Sequence, residues 1–350
     1  TKEGEDATAE MDYLILDAAK YLHLPQPPLS CIWTEQMSGK FLEKVLDVIG
    51  TGVGMPQFCN GDVMMARALN LFADSKKGIT LEQARRTCIG ACVGSYIPYE
   101  TGHPVEGQPN LGKVIELTMN SGFDPRTKKQ VGPKTGDPAT FKTFEELYAA
   151  FEQQLQFNEE VLRRGAWIAS MLCSDFLPVP WRSLLTGGCI ETGTEVWNGG
   201  ANYYTVAQIV VGGVDAANSL MALKHLVYDE KKVTMPELKK ALAANFEGEY
   251  EKIRKLCYEG APKHGNDIPE MNRMTHRVYE SILKAFNNVD GGGNYLSKDI
   301  KSTPDAYTKS IHNLMGMVTG ALPNGKRAGV ALTDGSLSAG HAKVLLGLPT

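Results

Sequence analysis

Residues 87–94 read Thr-Cys-Ile-Gly-Ala-Cys-Val-Gly and lie between a predicted helix and a turn. Cys92 stands among small residues, where we expect the tip of a short loop. Small residues let a substrate or another backbone approach closely, which a reactive thiol needs. A free cysteine is also among the most buried residue types and often serves as a small apolar side chain. The stretch alone therefore leaves both a reactive and a packed cysteine open.

The composition is that of a globular chain with a sizeable core. The 350 residues are 43% hydrophobic and carry a net charge of −4 at pH 7, enough for one large or two ordinary domains. The charges are mixed in sign and give no basic surface for nucleic acid or an anionic membrane. No apolar run reaches the length of a membrane span. We therefore predict that neither nucleic acid nor a membrane is a partner.

Seven cysteines are scattered along the sequence, mostly inside apolar stretches. An odd, scattered set suits a reducing compartment better than a disulfide framework. The first twenty residues are acidic and show no secretory signal, so we predict a cytoplasmic protein. Cys88 and Cys92 are four residues apart, but no further Cys or His pair stands nearby to complete a metal site. We predict no metal in this chain and assign Cys88 to packing.

The pattern of apolar residues predicts long helices with a few short strands. Three-to-four spacing predicts helices at 8–23, 37–49, 62–73, 111–120, 143–172, 206–228, 236–244 and 268–286. Strand candidates bounded by Gly, Pro or Asn lie at 29–33, 91–97 and 202–206. The Gly- and Asn-rich stretch 287–304 predicts a long loop. Short strands among long helices predict an α/β core with strands buried on both faces.

Several distinctive motifs follow one another in the later part of the chain. They are Gly188-Cys-Ile-Glu191, Gly199-Gly-Ala-Asn-Tyr203, Asp215–Asp229, Leu238–Gly248, Ala261–Asp267 and Gly320-Ala-Leu-Pro-Asn-Gly-Lys-Arg-Ala-Gly329. In this order and spacing they resemble the glycyl radical enzymes, the family of pyruvate formate-lyase. The resemblance runs from about Pro56 to Ser338, and it rests on separate motifs rather than on one.

The resemblance implies a fold for residues 1–350. The family forms a ten-stranded α/β barrel surrounded by helices, with the catalytic cysteine on an interior loop. The family's C-terminal Arg-Val-x-Gly-Tyr type loop has no counterpart in this sequence, and neither does the N-terminal half of the barrel. We therefore expect the chain to form one partial barrel domain of a longer catalytic subunit.

The resemblance also implies a chemistry. Ala91-Cys92-Val93 matches the family's active-site turn, so Cys92 is the expected thiyl radical that abstracts hydrogen from the substrate. A thiol in this role need not ionise, unlike a nucleophilic cysteine. The implied cofactor is a glycyl radical on a glycine outside this chain. The implied partners are a small-molecule substrate, a radical S-adenosylmethionine activating enzyme, a second copy in a homodimer and small iron–sulfur subunits.

The residues around Cys92 bear on the subclass. Dehydratases, choline lyase and several decarboxylases carry Cys-x-Glu, whereas Gly94 stands at that position here, and Ala91 replaces the first of the two adjacent cysteines of pyruvate formate-lyase. Succinate synthases share a stretch like 132–147, but the arginine expected near 108–111 is missing. The best interpretation is an arylacetate-type decarboxylase acting in anaerobic metabolism. An X-succinate synthase that adds a hydrocarbon to fumarate and a non-catalytic paralogue are the alternatives.

Residues after Cys92 supply candidate substrate contacts. Glu100, His103 or Glu106 could replace the missing glutamate, although a solvated turn is an equal reading. An aromatic wall for an apolar substrate, or ordinary packing, is expected from Tyr96, Tyr99, Trp197, Tyr203 and Tyr204. We predict that the substrate-binding residues are Ser95, Tyr96, His103, Glu106, Asn202 and Tyr203.

Overall fold

The structure is a computed structural model that describes residues 1–24, 27–53, 55–73, 75, 77–90, 94–102, 107–287, 300–305 and 311–333. The chain divides into two compact units. The first unit comprises Thr1–Pro104, Ala169–Thr205 and Gly293–Lys301. The second unit comprises Val105–Ile168, Val206–Gly292 and Ser302–Thr350.

The helices follow the predicted pattern, with short additions. Their bounds are α1 Glu10–Leu22, α2 Gly39–Ile49, α3 Gly61–Leu71, α4 Leu81–Arg85, α5 Leu111–Met119, α6 Phe144–Phe176, α7 Pro180–Leu184, α8 Cys189–Thr192, α9 Gly213–Leu223, α10 Met235–Ala243, α11 Glu251–Glu259, α12 Pro269–Asn287 and α13 Ile311–Met317. A π-helical turn, Lys224–Asp229, follows α9. Among the described residues, no helix is both long and apolar enough to cross a membrane.

The strands are short. Their bounds are β1 Ser30–Trp33, β2 Gln57–Asn60, β3 Cys88–Gly90, β4 Gly94–Tyr96, β5 Thr101–Gly102, β6 Phe123–Asp124, β7 Lys129–Gln130, β8 Tyr203–Ile209 and β9 Ile300–Asp305. β1 pairs with β2 in parallel, whereas β3–β4 and β6–β7 are antiparallel pairs. β5 pairs with β8 in parallel, and β9 completes that three-stranded sheet. The mixture of helices and short strands confirms the predicted α/β class.

Local capping explains where several helices begin. The Ser38 hydroxyl accepts a hydrogen bond from the Phe41 amide at 3.2 Å at the start of α2. Thr80 with Gln83 and Thr234 with Glu237 form reciprocal capping boxes at α4 and α10. Each cap satisfies an amide that has no partner within its own helix.

The second unit is built around one large apolar core. Every residue of α9 is buried, and α9 packs against α5 and α12. The core residues drawn from α6 and α12 include Phe151, Leu155, Val278 and Ile282. Apolar burial of this extent is the dominant stabilising term in folding.

A buried polar cluster ties two of the sequence motifs together in the second unit. The fully buried Asp215 carboxylate accepts hydrogen bonds from Asn324 Nδ2 at 2.9 Å and from the Thr333 amide at 2.6 Å. Lys326 Nζ lies 3.2 Å from the same carboxylate. Asp215 in α9 thus fixes the segment that carries the Asn-Gly-Lys-Arg motif, because a buried charge must be paired and hydrogen-bonded.

Two predicted elements differ from the structure. The helix predicted over 206–228 is wrong in its first part, because 206–209 continue β8 and the helix begins only at Gly213. Gly212, with φ of 76°, adopts the left-handed conformation that separates strand from helix. The loop predicted over 287–304 is also wrong in part, because 300–305 form β9. Residues 288–299 lie outside the described residues.

Candidate active site

The strands β3 and β4, which precede and follow the predicted catalytic cysteine in the sequence, form an antiparallel pair that we call the hairpin. Cys88 pairs with Tyr96, Ile89 with Ser95 and Gly90 with Gly94. Residues 91–93, including Cys92, lie outside the described residues, so the catalytic assignment stays a prediction. The single strand predicted over 91–97 is replaced by β4, which covers 94–96 and is paired with β3.

The face of the hairpin that carries Tyr96 is closely packed. A Cβ atom on Gly90 would lie 2.5 Å from Tyr96 Cδ2, so the ring occupies the space that a side chain at position 90 would need. Cys88, on the same face, is half-buried, and burial raises the pKa of its thiol. A protonated, partly buried thiol fits the packing role assigned to Cys88. The Ser95 backbone lies in β4, and its side chain is outside the described part.

Glu100 lies in the turn that follows the hairpin, and three side chains meet there. The Glu100 carboxylate accepts a hydrogen bond from Asn202 Nδ2 at 2.5 Å. The side-chain oxygen of the same residue, Asn202 Oδ1, accepts a hydrogen bond from Lys77 Nζ. The amide therefore bridges an ammonium group and a carboxylate, and it holds Glu100 in one direction rather than free in solvent. Of the three proton-transfer candidates, His103 and Glu106 lie outside the described residues.

A glycine makes this meeting possible. The Gly187 amide donates to the Tyr99 carbonyl at 2.7 Å, and the Asn202 amide donates to the Gly187 carbonyl at 3.0 Å. A Cβ atom at position 187 would lie 3.0 Å from Asn202 Nδ2 and 3.1 Å from Glu100 Oε2. Gly187 thus allows the turn at 99–100 and the strand start at 202 to approach closely, as glycine does at such contacts.

Tyr203 is placed for packing. Its ring is 2% exposed and lies 4.7 Å, between ring centroids, from the ring of Phe72. Its hydroxyl donates to the Gly78 carbonyl at 2.7 Å, and burial raises its pKa. The described contacts therefore use both the ring and the hydroxyl inside the first unit. The contact of Tyr203 with a substrate stays a prediction.

The other residues of the expected aromatic wall differ in their surroundings. The Tyr204 hydroxyl donates to the Val196 carbonyl at 2.6 Å and accepts from the Ala201 amide at 2.8 Å, and burial raises its pKa. The Trp197 ring lies under the Arg182 guanidinium, with 5.1 Å between Cζ and the ring centroid. Tyr99 is 70% exposed.

One cavity beside the hairpin is small. A cavity of about 20 Å³ lies against Tyr96, Ile97 and Thr101, which is room for about one water molecule. No group of three or more His, Cys, Asp or Glu side chains with metal-binding geometry occurs among the described residues.

Sequence reasoning missed two members of this arrangement, Lys77 and Gly187. Lys77 is 125 residues from Asn202 in the sequence, and nothing in its exposed, lysine-containing loop indicated that contact. Gly187 had a signal, since it directly precedes the Gly188-Cys-Ile-Glu191 motif and forms a pair with Gly188, and paired glycines often mark close backbone approach.

Comparison with known proteins places this chain in a family. The family described as pyruvate formate lyase-like matches residues 1–316. Trans-4-hydroxy-L-proline dehydratase of Clostridioides difficile is 32% identical over 338 residues, which cover 95% of this chain and 41% of that protein. Indoleacetate decarboxylase of Tractidigestivibacter scatoligenes is 30% identical over 364 residues, which cover 97% and 40%, respectively.

A solved structure supports the same placement. The crystal structure of hydroxyproline dehydratase from Clostridioides difficile, with trans-4-hydroxy-L-proline bound, superposes with a TM-score of 0.85 at 30% identity, covering 95% of this chain and 41% of that one. The chain therefore spans about two fifths of the length of the curated relatives that it matches. It belongs to the pyruvate formate lyase-like family of glycyl radical enzymes, and its α/β fold is part of that family's barrel.

Proposed function

We propose that this chain is the part of a radical lyase that carries the hydrogen-abstracting cysteine, Cys92. The observation that supports this most directly is the β3–β4 register. Gly90 pairs with Gly94, so two paired glycines stand two residues before and two residues after Cys92 in the sequence. The antiparallel pairing therefore holds the two chain segments that flank Cys92 next to each other.

The proposed chemistry at Cys92 is a hydrogen-atom transfer. The substrate C–H bond breaks, the S–H bond forms at Cys92, and the unpaired electron passes to the substrate carbon. A glycyl radical on a glycine outside this chain would first take the hydrogen atom of the Cys92 S–H bond and so leave the unpaired electron on the sulfur.

Glu100 is the proposed proton-transfer group. The Asn202 amide and Gly187 hold its carboxylate in the turn next to the hairpin. Proton transfer requires a group positioned within direct or single-water reach of the reacting atoms. A carboxylate at Glu100 would take over the role that the family's Cys-x-Glu glutamate has, since Gly94 cannot perform it.

The preferred substrate class is an arylacetate-type acid, which would be decarboxylated. The relative that acts on indoleacetate supports this choice. Dehydration is the second candidate, because a relative at 32% identity is a dehydratase. Either reaction is a radical lyase reaction on a small molecule and needs a positioned proton-transfer group.

The proposed surroundings of the enzyme follow from its chemistry. A radical S-adenosylmethionine enzyme would install the glycyl radical, and we propose a homodimer with small iron–sulfur subunits. We also propose a cytoplasmic location, which the free state of all six described cysteines supports, because reducing compartments keep thiols reduced.

Replacement of Cys92 tests the proposal. In the complete protein, activated without oxygen, we expect Cys92→Ala to reduce turnover to background with little change in thermal stability. Cys88→Ala is the matched control: it removes a half-buried thiol of the same hairpin and should retain turnover. Substantial turnover in Cys92→Ala would disprove the assignment.

Replacement of Glu100 separates the proton-transfer role from a structural one. Glu100→Gln keeps the shape and an acceptor for Asn202, and it should lower kcat by about 10²–10⁴-fold and remove one limb of the pH profile. Glu43→Gln, at an exposed carboxylate in α2 of the first unit, should leave kcat unchanged. Analysis of the product for loss of CO₂ or of water then decides between decarboxylation and dehydration. An unchanged pH profile in Glu100→Gln would assign proton transfer elsewhere.

A further inference from the structure

The second unit contains an open cavity of about 560 Å³ that the proposed reaction does not use. This volume lies within the range of small-molecule sites. Apolar walls come from Met119 in α5, Leu242 in α10 and the segment after α13, which contributes Val318 and Ala321. Glu116 is among the residues that line it.

Glu116 is an unusual residue to find in such a wall. Its side chain is only 7% exposed. One oxygen, Oε2, accepts hydrogen bonds from Lys113 Nζ at 2.5 Å and from the Gly320 amide at 2.9 Å. The other oxygen, Oε1, has no hydrogen-bond partner among the described residues. A carboxylate that is buried to this extent normally has all of its acceptor sites used.

Gly320 creates the space in which the second oxygen stands. A Cβ atom at position 320 would lie 2.6 Å from Glu116 Oε1. The missing side chain therefore lets the carboxylate lie against the backbone with Oε1 still accessible. A side chain at this position would displace the carboxylate.

The carboxylate of Glu116 shares its cation with a second carboxylate. Lys113 Nζ serves two carboxylates, since it lies 2.5 Å from Glu116 Oε2 and 3.1 Å from Asp124 Oδ1. Burial raises the pKa of Asp124, but hydrogen bonds from Thr127 and Lys113 outweigh it and hold that pKa below its ordinary value. The two carboxylates share one ammonium group, so a second cation would complete the cluster.

Several other polar groups of the cavity are already engaged. Asn120 Nδ2 donates to the Glu116 carbonyl at 2.8 Å, and Asn245 Oδ1 accepts from the Ala328 amide at 2.8 Å. Lys239 is paired with Asp137. Arg126 also lines the cavity, and its side chain is exposed. Glu116 Oε1 is therefore a charged acceptor that a ligand would find.

We propose that this cavity binds a primary ammonium group carried on a short apolar chain, with Glu116 Oε1 accepting from the ammonium. The apolar walls take the chain, and the carboxylate fixes its charged end. A charge-assisted hydrogen bond at a largely buried carboxylate is one of the stronger polar contacts in proteins.

Calorimetric titration with n-hexylammonium, and with 1-hexanol as its neutral counterpart, tests the proposal at pH 7 and low salt. We expect the protein to bind n-hexylammonium at least tenfold more tightly than 1-hexanol. Glu116→Gln, which keeps the shape but removes the charge, should lose that preference. Glu259→Gln is the matched control, because Glu259 is an exposed carboxylate of the same unit, and it should keep the preference.

Gly320→Ala provides an independent test that leaves the charge in place. The added methyl group should displace Glu116 Oε1 and weaken n-hexylammonium binding at least tenfold, while 1-hexanol binding changes little. The proposal is overturned if the unmodified protein binds n-hexylammonium and 1-hexanol equally or binds neither. It is also overturned if folded Glu116→Gln retains the preference.

Discussion

The second unit has one large apolar core, whereas the described apolar clusters of the first unit are small. The core of the second unit joins α5, α6, α9 and α12, and it includes fully buried side chains such as Phe151 and Leu220. In the first unit, one cluster consists of Phe72, Ile97 and Tyr203 with two partly buried neighbours. Yet the first unit carries the hairpin to which we assign the chemistry.

The two units are therefore stabilised in different ways. Packing in the second unit fixes helices through many weak contacts that act together. In the first unit, close glycine contacts and specific hydrogen bonds, such as those of Gly187 and Asn202, position the turn after the hairpin. Functional segments are often drawn from the less stable parts of a protein, because they must open for ligands.

The largest expected difference comes from deleting a matched aromatic side chain in each unit. Phe151→Ala should cost about 3–5 kcal/mol in the free energy of unfolding, the usual cost for a fully buried phenylalanine. Phe72→Ala should cost about 3 kcal/mol, at the low end of that range, because the smaller cluster around it can collapse more readily into the vacated space. Urea denaturation of both variants measures the costs. Equal costs would show that the first unit is packed as tightly as the second.

Lys263 offers a pH-dependent test within the second unit. It is 6% exposed, its ammonium donates to the Cys257 carbonyl at 2.6 Å, and burial lowers its pKa from 10.5 to about 8. Lys263→Met should raise stability by about 2 kcal/mol at pH 7, because one pKa unit corresponds to about 1.4 kcal/mol and the lost hydrogen bond offsets about 1 kcal/mol.

The sign of the pH dependence follows from proton binding. Below about pH 8 both states hold the Lys263 proton, and the folded state bears the full cost of a buried charge. Between about pH 8 and 10.5 only the unfolded chain retains the proton, so the stability of the unmodified protein rises relative to Lys263→Met. Urea denaturation of both proteins from pH 6 to 10 measures the gap. A constant gap would contradict a lowered pKa.

The smallest expected effect concerns a tyrosine hydroxyl in each unit. Tyr203→Phe removes the hydrogen bond to Gly78, and Tyr148→Phe removes the 3.0 Å hydrogen bond to Ser281. Each should cost about 1 kcal/mol, because one buried hydrogen bond is lost. Thermal unfolding checks the costs. If Tyr203→Phe instead lowers turnover of the complete enzyme and leaves stability unchanged, Tyr203 contacts the substrate, as the sequence predicted.

The periodic spacing of apolar residues predicted the helices that are buried, on one side or on all sides, over several turns. The helix expected over 143–172 is α6, and it continues to Phe176. The prediction failed at 206–209, where a short apolar run fits a buried strand as well as a helix. Short helices such as α7 and α8 were missed because four or five residues give too little periodicity to detect.

The sequence by itself determined the family, through motifs whose order and spacing run along most of the chain, and it determined the α/β class. Tertiary structure alone decided which side chains meet. Lys77, Glu100 and Asn202 lie as much as 125 residues apart, and Glu116 faces Gly320 across 204 residues. Such contacts form only when packed elements bring distant parts of the backbone together. Local conformational propensity depends on neighbouring residues in the sequence, so it does not predict them.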